Sequence, residues 1–333
     1  MDLQIVSFDP GFYFSKGYSS HGKYICLARV KEVSNLEEPD GGISLIEFQD
    51  KKYRVGDGLN VPPEMNHDKT QTIKTKIEMM NFLHQICEGE KGKFLVVTGT
   101  PLSKSHAESN LTQKLLDYLS TDGRYLEVVR DGIKKHIMVE KVISMPQAMI
   151  SYYSLPAVDR ERYQRMNSTV LIWDLGGHTF DVAEFRGGIP QKEPETKLYT
   201  RNLGIIPMLI TFRKKLDSKY PTLDFSSTEE LRKIFEQGFF PTRSETEDIT
   251  QIATVVGREH VRELVQDMEN VFSPATADEN YLCGGGFITL EPYVRETFPR
   301  CRLMDDAQFT NVKSMYDTVV NQAIFSKLVA GCA

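Results

Sequence analysis

Several things are scarce in these 333 residues, and each scarcity excludes something. No apolar run approaches the ~20 residues that a membrane-crossing helix needs, so no membrane span is expected. Cysteine occurs five times (Cys26, Cys87, Cys283, Cys301 and Cys332), scattered, odd in number and without a CxxC pair. That pattern argues against a disulfide framework and for reduced thiols in a cytoplasm. The seven histidines include no pair at metal-ligand spacing, so a zinc site is not expected. Positive charge is also short: the formal net charge is −6. A chain that grips a phosphate backbone needs a basic face, so direct nucleic-acid binding is not expected, although a local basic patch stays open. Met1-Asp-Leu-Gln begins acidic and enters a strand, so no signal peptide is expected. What remains is ordinary for a soluble globular protein, with 40% hydrophobic and 26% charged residues. The length suffices for two domains with a sizeable core.

The stretch Leu171-Ile-Trp-Asp-Leu-Gly-Gly-His-Thr-Phe-Asp181 organises the chain. Val170 to Trp173 reads as a buried strand ending at Asp174, Gly176 and Gly177 allow a tight reversal, and Thr179 to Phe185 reads as the returning strand. Such a tip can point backbone N–H groups outward to a phosphate. Asp174 would be tolerated there only with a cation in between. A lone D-x-G-G is more often a plain hairpin turn. The chain, however, opens in a similar way: Leu3 to Phe8 alternates as a strand, then come Asp9, Gly11 and Lys16, a D-x-G-x-x-x-x-K pattern. Lys16 reads either as a solvated strand lysine or as a phosphate contact. A third piece, Tyr281-Leu-Cys-Gly-Gly-Gly-Phe287, runs a short apolar strand into Gly284, Gly285 and Gly286, where backbone can lie flat against an adenosine and its α-phosphate. Together, and in this order, the three pieces point to a nucleotide.

These motifs resemble those of the actin/sugar-kinase/heat-shock-chaperone ATPase superfamily. Asp9-Gly11-Lys16 resembles its first phosphate motif, Asp174 to Asp181 its second, and Gly284-Gly285-Gly286 its adenosine motif. Within it, the chain looks most like the bacterial actin-like plasmid-segregation proteins, the ParM family. Val97-Thr-Gly-Thr-Pro101 resembles that family's T-G-x-P strand end, Ile234-Phe-Glu-Gln-Gly238 its E-x-G turn, and Asp305-Asp-Ala-Gln-Phe-Thr-Asn-Val312 its closing D-x-Q-F-x-N-V segment. The resemblance implies an α/β, actin-like two-domain ATPase fold, with two related α/β halves flanking a nucleotide cleft, each with a smaller subdomain. The expected boundaries are 1–150 for the first domain, with an inserted subdomain at about 34–92, and 151–309 for the second, with one at about 201–257. Residues 310–333 are expected to return to the first domain as a C-terminal helix.

The resemblance also implies roles. Gln147 would position the attacking water; a helix-start glutamine facing solvent is the bland alternative. Asp9 and Asp174 would hold Mg²⁺, through water, with Asp174 counted with Gln147 as catalytic. Gly11, Lys16, Gly176, Gly177, His178 and Thr179 would contact phosphates, and Gly284, Gly285, Gly286 and Glu236 the nucleoside side of ATP, with GTP as the alternative. His178 reads equally well as a solvent-facing turn residue, and Lys215 is a further ribose or adenine candidate. The implied partners are further copies of the chain, head to tail in a filament, and a DNA-binding adaptor at a plasmid centromere, in a bacterial cytoplasm without a membrane.

Elsewhere the pattern predicts strands at Phe14–Ser19, Lys23–Val30, Ile43–Phe48, Lys52–Val55, Phe94–Thr98, Tyr125–Arg130, Ile133–Val139 and Gln191–Thr200. A further strand from Val142 would deliver Pro146-Gln147 into a helix. Helices are predicted over 73–87, 108–119, 204–219, 258–272 and 312–330. Three rivals remain. A sugar-type kinase of the superfamily would use an Asp base such as Asp181, but no sugar motif is recognisable. A chaperone would need a peptide-binding domain. A non-hydrolysing, nucleotide-dependent scaffold is the non-enzyme alternative.

Overall fold

The computed structural model describes residues 2–33, 43–56, 72–102, 109–192, 197, 199–221, 227–242 and 245–321. Residues 34–42 and 57–71 of the expected inserted subdomain, Glu108, residues 322–330 of the expected closing helix and Cys332 lie outside them.

Alternation along Phe94-Leu-Val-Val97 sets the core of the first half. Successive side chains of a strand point to opposite faces. Phe94 and Val96 pack with Val6, Phe8 and the helix Ile73–Ile86 through Ile77, Met80, Phe82 and Leu83. Leu95 and Val97 pack with Ile150 and, from the helix Thr310–Asn321, Val312, Met315 and Val319. A strand covered on both faces reads as a continuous apolar run. It lies in a nine-stranded sheet. Its strands are β1 (Leu3–Pro10), β2 (Phe14–Ser19), β3 (Gly22–Leu27), β4 (Val30–Val33), β5 (Ile43–Phe48), β6 (Lys51–Gly56), β7 (Lys91–Thr100), β8 (Leu126–Arg130) and β9 (Ile133–Pro146). Their order is β3-β2-β1-β7-β9-β8-β5-β6-β4. β7 pairs in parallel with β1 and β9, and antiparallel hairpins extend both edges.

The second half is built on β10 (Thr169–Leu175), β11 (Phe180–Arg186), β12 (Ile189–Pro190), β13 (Tyr199–Arg201), β16 (Glu279–Cys283) and β17 (Arg302–Leu303), with β14 (Phe239–Pro241) and β15 (Thr246–Asp248) forming a separate hairpin. β10 pairs antiparallel with β11 and parallel with β16. Trp173 is at the centre, 1% exposed, against Phe180, Phe287 and Phe298, with its indole N–H donated to Asn280 Oδ1 at 3.1 Å. Helices Ala157–Met166, Ile205–Lys219, Thr228–Gln237, Thr250–Glu269 and Gly285–Thr297 complete this half. The chain divides into two compact units, Met1–Ser154 with Phe309–Ala333, and Leu155–Gln308.

Several local expectations needed correction. The strands expected at Ile133–Val139 and from Val142 are one strand, because its register against β7 shifts between Phe94 and Leu95 and so accommodates Glu140. Gln147 is delivered not into an α-helix but towards a 3-10 turn, Ile150–Ser154. The helix expected to begin at 258 begins at Thr250, and the strand expected from Gln191 begins at Tyr199. The strand expected over Lys23–Val30 breaks after Leu27, with Val30 opening β4.

Candidate functional site

Each unit contributes one glycine-bearing hairpin whose acidic residue is buried. In the first unit, Asp9 and Lys16 face each other across β1 and β2. Asp9 is 4% exposed, and both its carboxylate oxygens are engaged: Lys16 Nζ lies 3.3 Å from Oδ2, and Gln147 Nε2 donates to Oδ1 at 2.9 Å. Gly11 closes the turn with its N–H on the Asp9 carbonyl (2.9 Å), and a Cβ there would collide with the Phe14 carbonyl oxygen. Gln147 is fixed twice more. Its own N–H bonds the Thr100 carbonyl at 2.9 Å, and a Cβ on Gly99 would lie 2.8 Å from Gln147 Cγ, so that glycine makes room for it. Ala148 follows at φ 56°, the left-handed region that side chains resist. The fold therefore brings Asp9, Gly11, Lys16 and Gln147 together.

In the second unit the tip of the β10–β11 hairpin rests on the start of the helix Ile205–Lys219. A helix start leaves backbone N–H groups without intrahelical partners. Here they bond the hairpin: Gly204, Ile205 and Ile206 donate to the carbonyls of His178 (2.9 Å), Gly176 (3.1 Å) and Gly177 (2.8 Å). In a trans peptide the C=O and the following N–H point in opposite directions. Fixing the carbonyls of 176, 177 and 178 on the helix therefore turns the N–H groups of Gly177, His178 and Thr179 to the opposite side, an arrangement that receives anions. Gly204 is required by contact, since a Cβ there would lie 2.5–2.6 Å from backbone atoms of Gly177 and His178. His178 is buried, 5% exposed, so its ring does not face solvent. Asp174 (5% exposed) sits opposite Asp181 (1% exposed) in the strand register, and Thr200 Oγ1 donates to Asp181 at 2.5 Å. Like charges placed directly opposite are unfavourable unless a cation or hydrogen bonds offset them, and the Thr200 hydrogen bond is one such offset at Asp181. Among the described residues no group of three or more His, Cys, Asp or Glu side chains is placed to hold a metal ion.

The third glycine turn belongs to the same unit. Gly284, at φ +86°, ends β16 and starts the helix Gly285–Thr297. A Cβ on it would collide with Asp174 Oδ1 and the Leu175 carbonyl, and one on Gly286 would lie 2.7 Å from the Leu175 side chain. A Cβ on Gly285 would come no closer than 3.6 Å, to the Gln308 side chain, so that position is looser. Glu236, near the end of the helix Thr228–Gln237, meets the first turns of Gly285–Thr297 by accepting from Thr289 Oγ1 at 2.5 Å, while Arg232 approaches it at 2.8 Å. Lys215 pairs with Glu259 at 3.1 Å, at the surface. From the sequence, Gly99 was read only within the T-G-x-P resemblance and Gly204 only as a helix start, and neither was given a part in the site. For Gly204 the signal was a glycine, in place of a side-chain cap, immediately before an apolar helix. For Gly99 it was the glycine at a buried strand end.

The first unit thus holds one glycine turn beside a buried carboxylate, and the second unit holds another together with a glycine turn at a helix start. Residues 7–149 match the family model described as actin like proteins, N terminal domain. The fold is actin-like. A 15-stranded ParM filament from Clostridium botulinum is 17% identical, with 97% of this chain and 100% of that chain covered at a TM-score of 0.81. Ta0583, an archaeal actin homolog in complex with ADP, is 14% identical, covering 96% of this chain and 100% of that one at 0.76. In sequence, the chaperone protein DnaK of Mycoplasma mycoides subsp. mycoides SC is 27% identical over 157 residues, 44% of this chain and 26% of the relative. The actin-like chain thus spans about a quarter of that relative's length. Among the described residues, no helix is long and apolar enough to cross a membrane, and Cys26, Cys87, Cys283 and Cys301 form no disulfide.

Proposed function

We propose that this actin-like protein is an ATPase that polymerises on binding ATP, and that its filaments segregate plasmid DNA through an adaptor bound to a centromere-like site. The observation that carries the nucleotide reading is the β10–β11 hairpin, whose carbonyls are anchored on a helix start and whose N–H groups face the other way. The filament reading is supported by likeness in fold to a ParM filament, and the nucleotide by likeness to an actin homolog in complex with ADP. In this reading the N–H groups of Gly177, His178 and Thr179, with Gly11 and Lys16, receive the phosphates. Gly284, Gly285, Gly286 and Glu236 form the nucleoside side. Asp9 and Asp174 hold the Mg²⁺ of the nucleotide through water, and the ion supplies neutralisation of phosphate charge when bound. Gln147, held on Asp9, orients the water that attacks the γ-phosphate, the role a glutamine takes in other nucleotide hydrolases.

The kinase alternative is disfavoured by Asp181, which is enclosed at 1% exposure and bonded to Thr200 rather than open to a substrate hydroxyl. Right-angle light scattering with Mg²⁺ and ATP, GTP or ADP, with phosphate release followed in parallel, tests the proposal. A triphosphate-dependent rise above a critical concentration, with phosphate lagging behind it, is the expected result. Flat scattering with phosphate transferred to a sugar would replace it with the kinase, and flat scattering without turnover would leave a nucleotide-binding scaffold.

A further inference from the structure

The segment that anchors the second hairpin is itself held from behind. His260, on the helix Thr250–Glu269, is buried at 6% exposure, and its Nε2 lies 3.1 Å from the Leu203 carbonyl oxygen. That carbonyl belongs to the same peptide unit as the Gly204 N–H, which donates to the His178 carbonyl at 2.9 Å. The His178 carbonyl in turn shares its peptide unit with the Thr179 N–H, one of the three groups turned to the hairpin's outer side. The side chain and two peptide units therefore stand in series: imidazole N–H to the 203–204 unit, then to the 178–179 unit. Hydrogen bonds in such a chain polarise one another in the same sense.

We propose that His260 is a positioning residue for the hairpin, orienting and polarising the Thr179 N–H towards bound phosphate through these two peptide units. The proposal rests on the reading of the hairpin as a phosphate site. A carbonyl oxygen only accepts, so Nε2 must carry the ring proton. Burial pushes this imidazole down to about 4, which keeps it neutral near pH 7 with that single proton on Nε2. Glu263, 62% exposed, lies 3.9 Å from its other nitrogen, Nδ1, beyond hydrogen-bond distance. The Gly204 carbonyl also faces the ring. Nothing in the proposed catalytic chemistry requires His260, so its part is confined to the hairpin's geometry.

The experiment compares the full chain with His260→Phe, which fills the volume without a donor, and His260→Gln, whose amide N–H₂ can reach the same carbonyl. Two quantities are read: affinity for Mg-ATP against affinity for adenosine, and amide hydrogen exchange over 176–180 without nucleotide. The expected result is about tenfold weaker ATP binding in the Phe variant with adenosine affinity unchanged, faster exchange over 176–180, and recovery of both in the Gln variant. Equal losses for ATP and adenosine, unchanged exchange, or a Gln variant no better than Phe would overturn the proposal. If the parent chain binds no ATP, the nucleotide reading itself falls, and the exchange comparison still decides whether His260 orders the hairpin.

Discussion

At the scale of single residues, Gln147, just after β9, is held beside the first hairpin: amide on Asp9, backbone on Thr100, with Gly99 opening the space beside it. Gln147→Ala should slow phosphate release at least about tenfold, the loss of one positioning contact to the attacking water, while triphosphate-dependent scattering persists. Normal turnover in that variant would remove Gln147 from the mechanism. The family resemblance, not a pattern of its own, singled this residue out in the sequence. Its anchor on Asp9 was not legible there, because the two are 138 residues apart. His260 gives a pH prediction. Its folded value, about 4, lies below the ordinary 6.5, so the unfolded chain takes up a proton that the folded chain refuses. The stabilisation is complete above about pH 6.5 and is lost as pH falls towards 4. Between pH 7 and 5 this amounts to about 2 kcal/mol, and urea midpoints for His260→Phe should fall less over that interval than those of the parent.

At the scale of elements, glycine separates turns that tolerate a side chain from those that do not. Gly204→Ala puts a Cβ 2.5–2.6 Å from the backbone of Gly177 and His178, atoms held by strand and helix alike. It should destabilise by about 1–3 kcal/mol, as overpacking does, and weaken ATP binding with it. Gly285→Ala meets nothing closer than Gln308 at 3.6 Å, and its melting temperature should stay close to that of the parent. Sequence reading placed Gly204 at a helix start and Gly285 in the adenosine-like turn, without showing which of the two positions has room for a side chain. The β10–β11 hairpin and the strand before Gly284 were legible, since apolar runs ended by paired glycines leave few other readings. The start of the helix Thr250–Glu269 was not, because its N-cap position is Ile249, which cannot cap, and the Thr250 N–H is taken instead by Asp248 Oδ1 at 2.9 Å.

At the scale of the molecule, the closing helix Thr310–Asn321 belongs to the first unit. It covers Leu95, Val97 and Ile150, and two buried serines tie it down: Ser7 Oγ donates to the Val312 carbonyl at 2.6 Å, and Ser151 Oγ to Asn311 Oδ1 at 2.6 Å. Met315→Ala should cost about 2–5 kcal/mol in this unit. The chain's one tryptophan, Trp173, lies in the other unit's core and reports on it alone. Urea unfolding of Met315→Ala should therefore show the circular-dichroism transition moved to lower denaturant and the tryptophan-fluorescence transition in place. A fluorescence transition that moved equally would mean that the two cores unfold as one.

Local order along the chain determined where β1, β7, β10 and β16 run, which turns carry glycine, and which acidic residues end those strands, because strand periodicity and glycine backbone freedom act over a few residues. The tertiary structure alone decided that Gln147 and Lys16 share the two oxygens of Asp9, that a helix start at Gly204 orients the second hairpin, and that His260 stands behind it. Apart from Asp9 and Lys16, which are neighbours across one hairpin, those contacts join positions far apart in sequence. Hydrogen bonds between distant segments leave no period and no spacing to read, and they exist only once the packing of both sheets and their helices has fixed where each backbone group points.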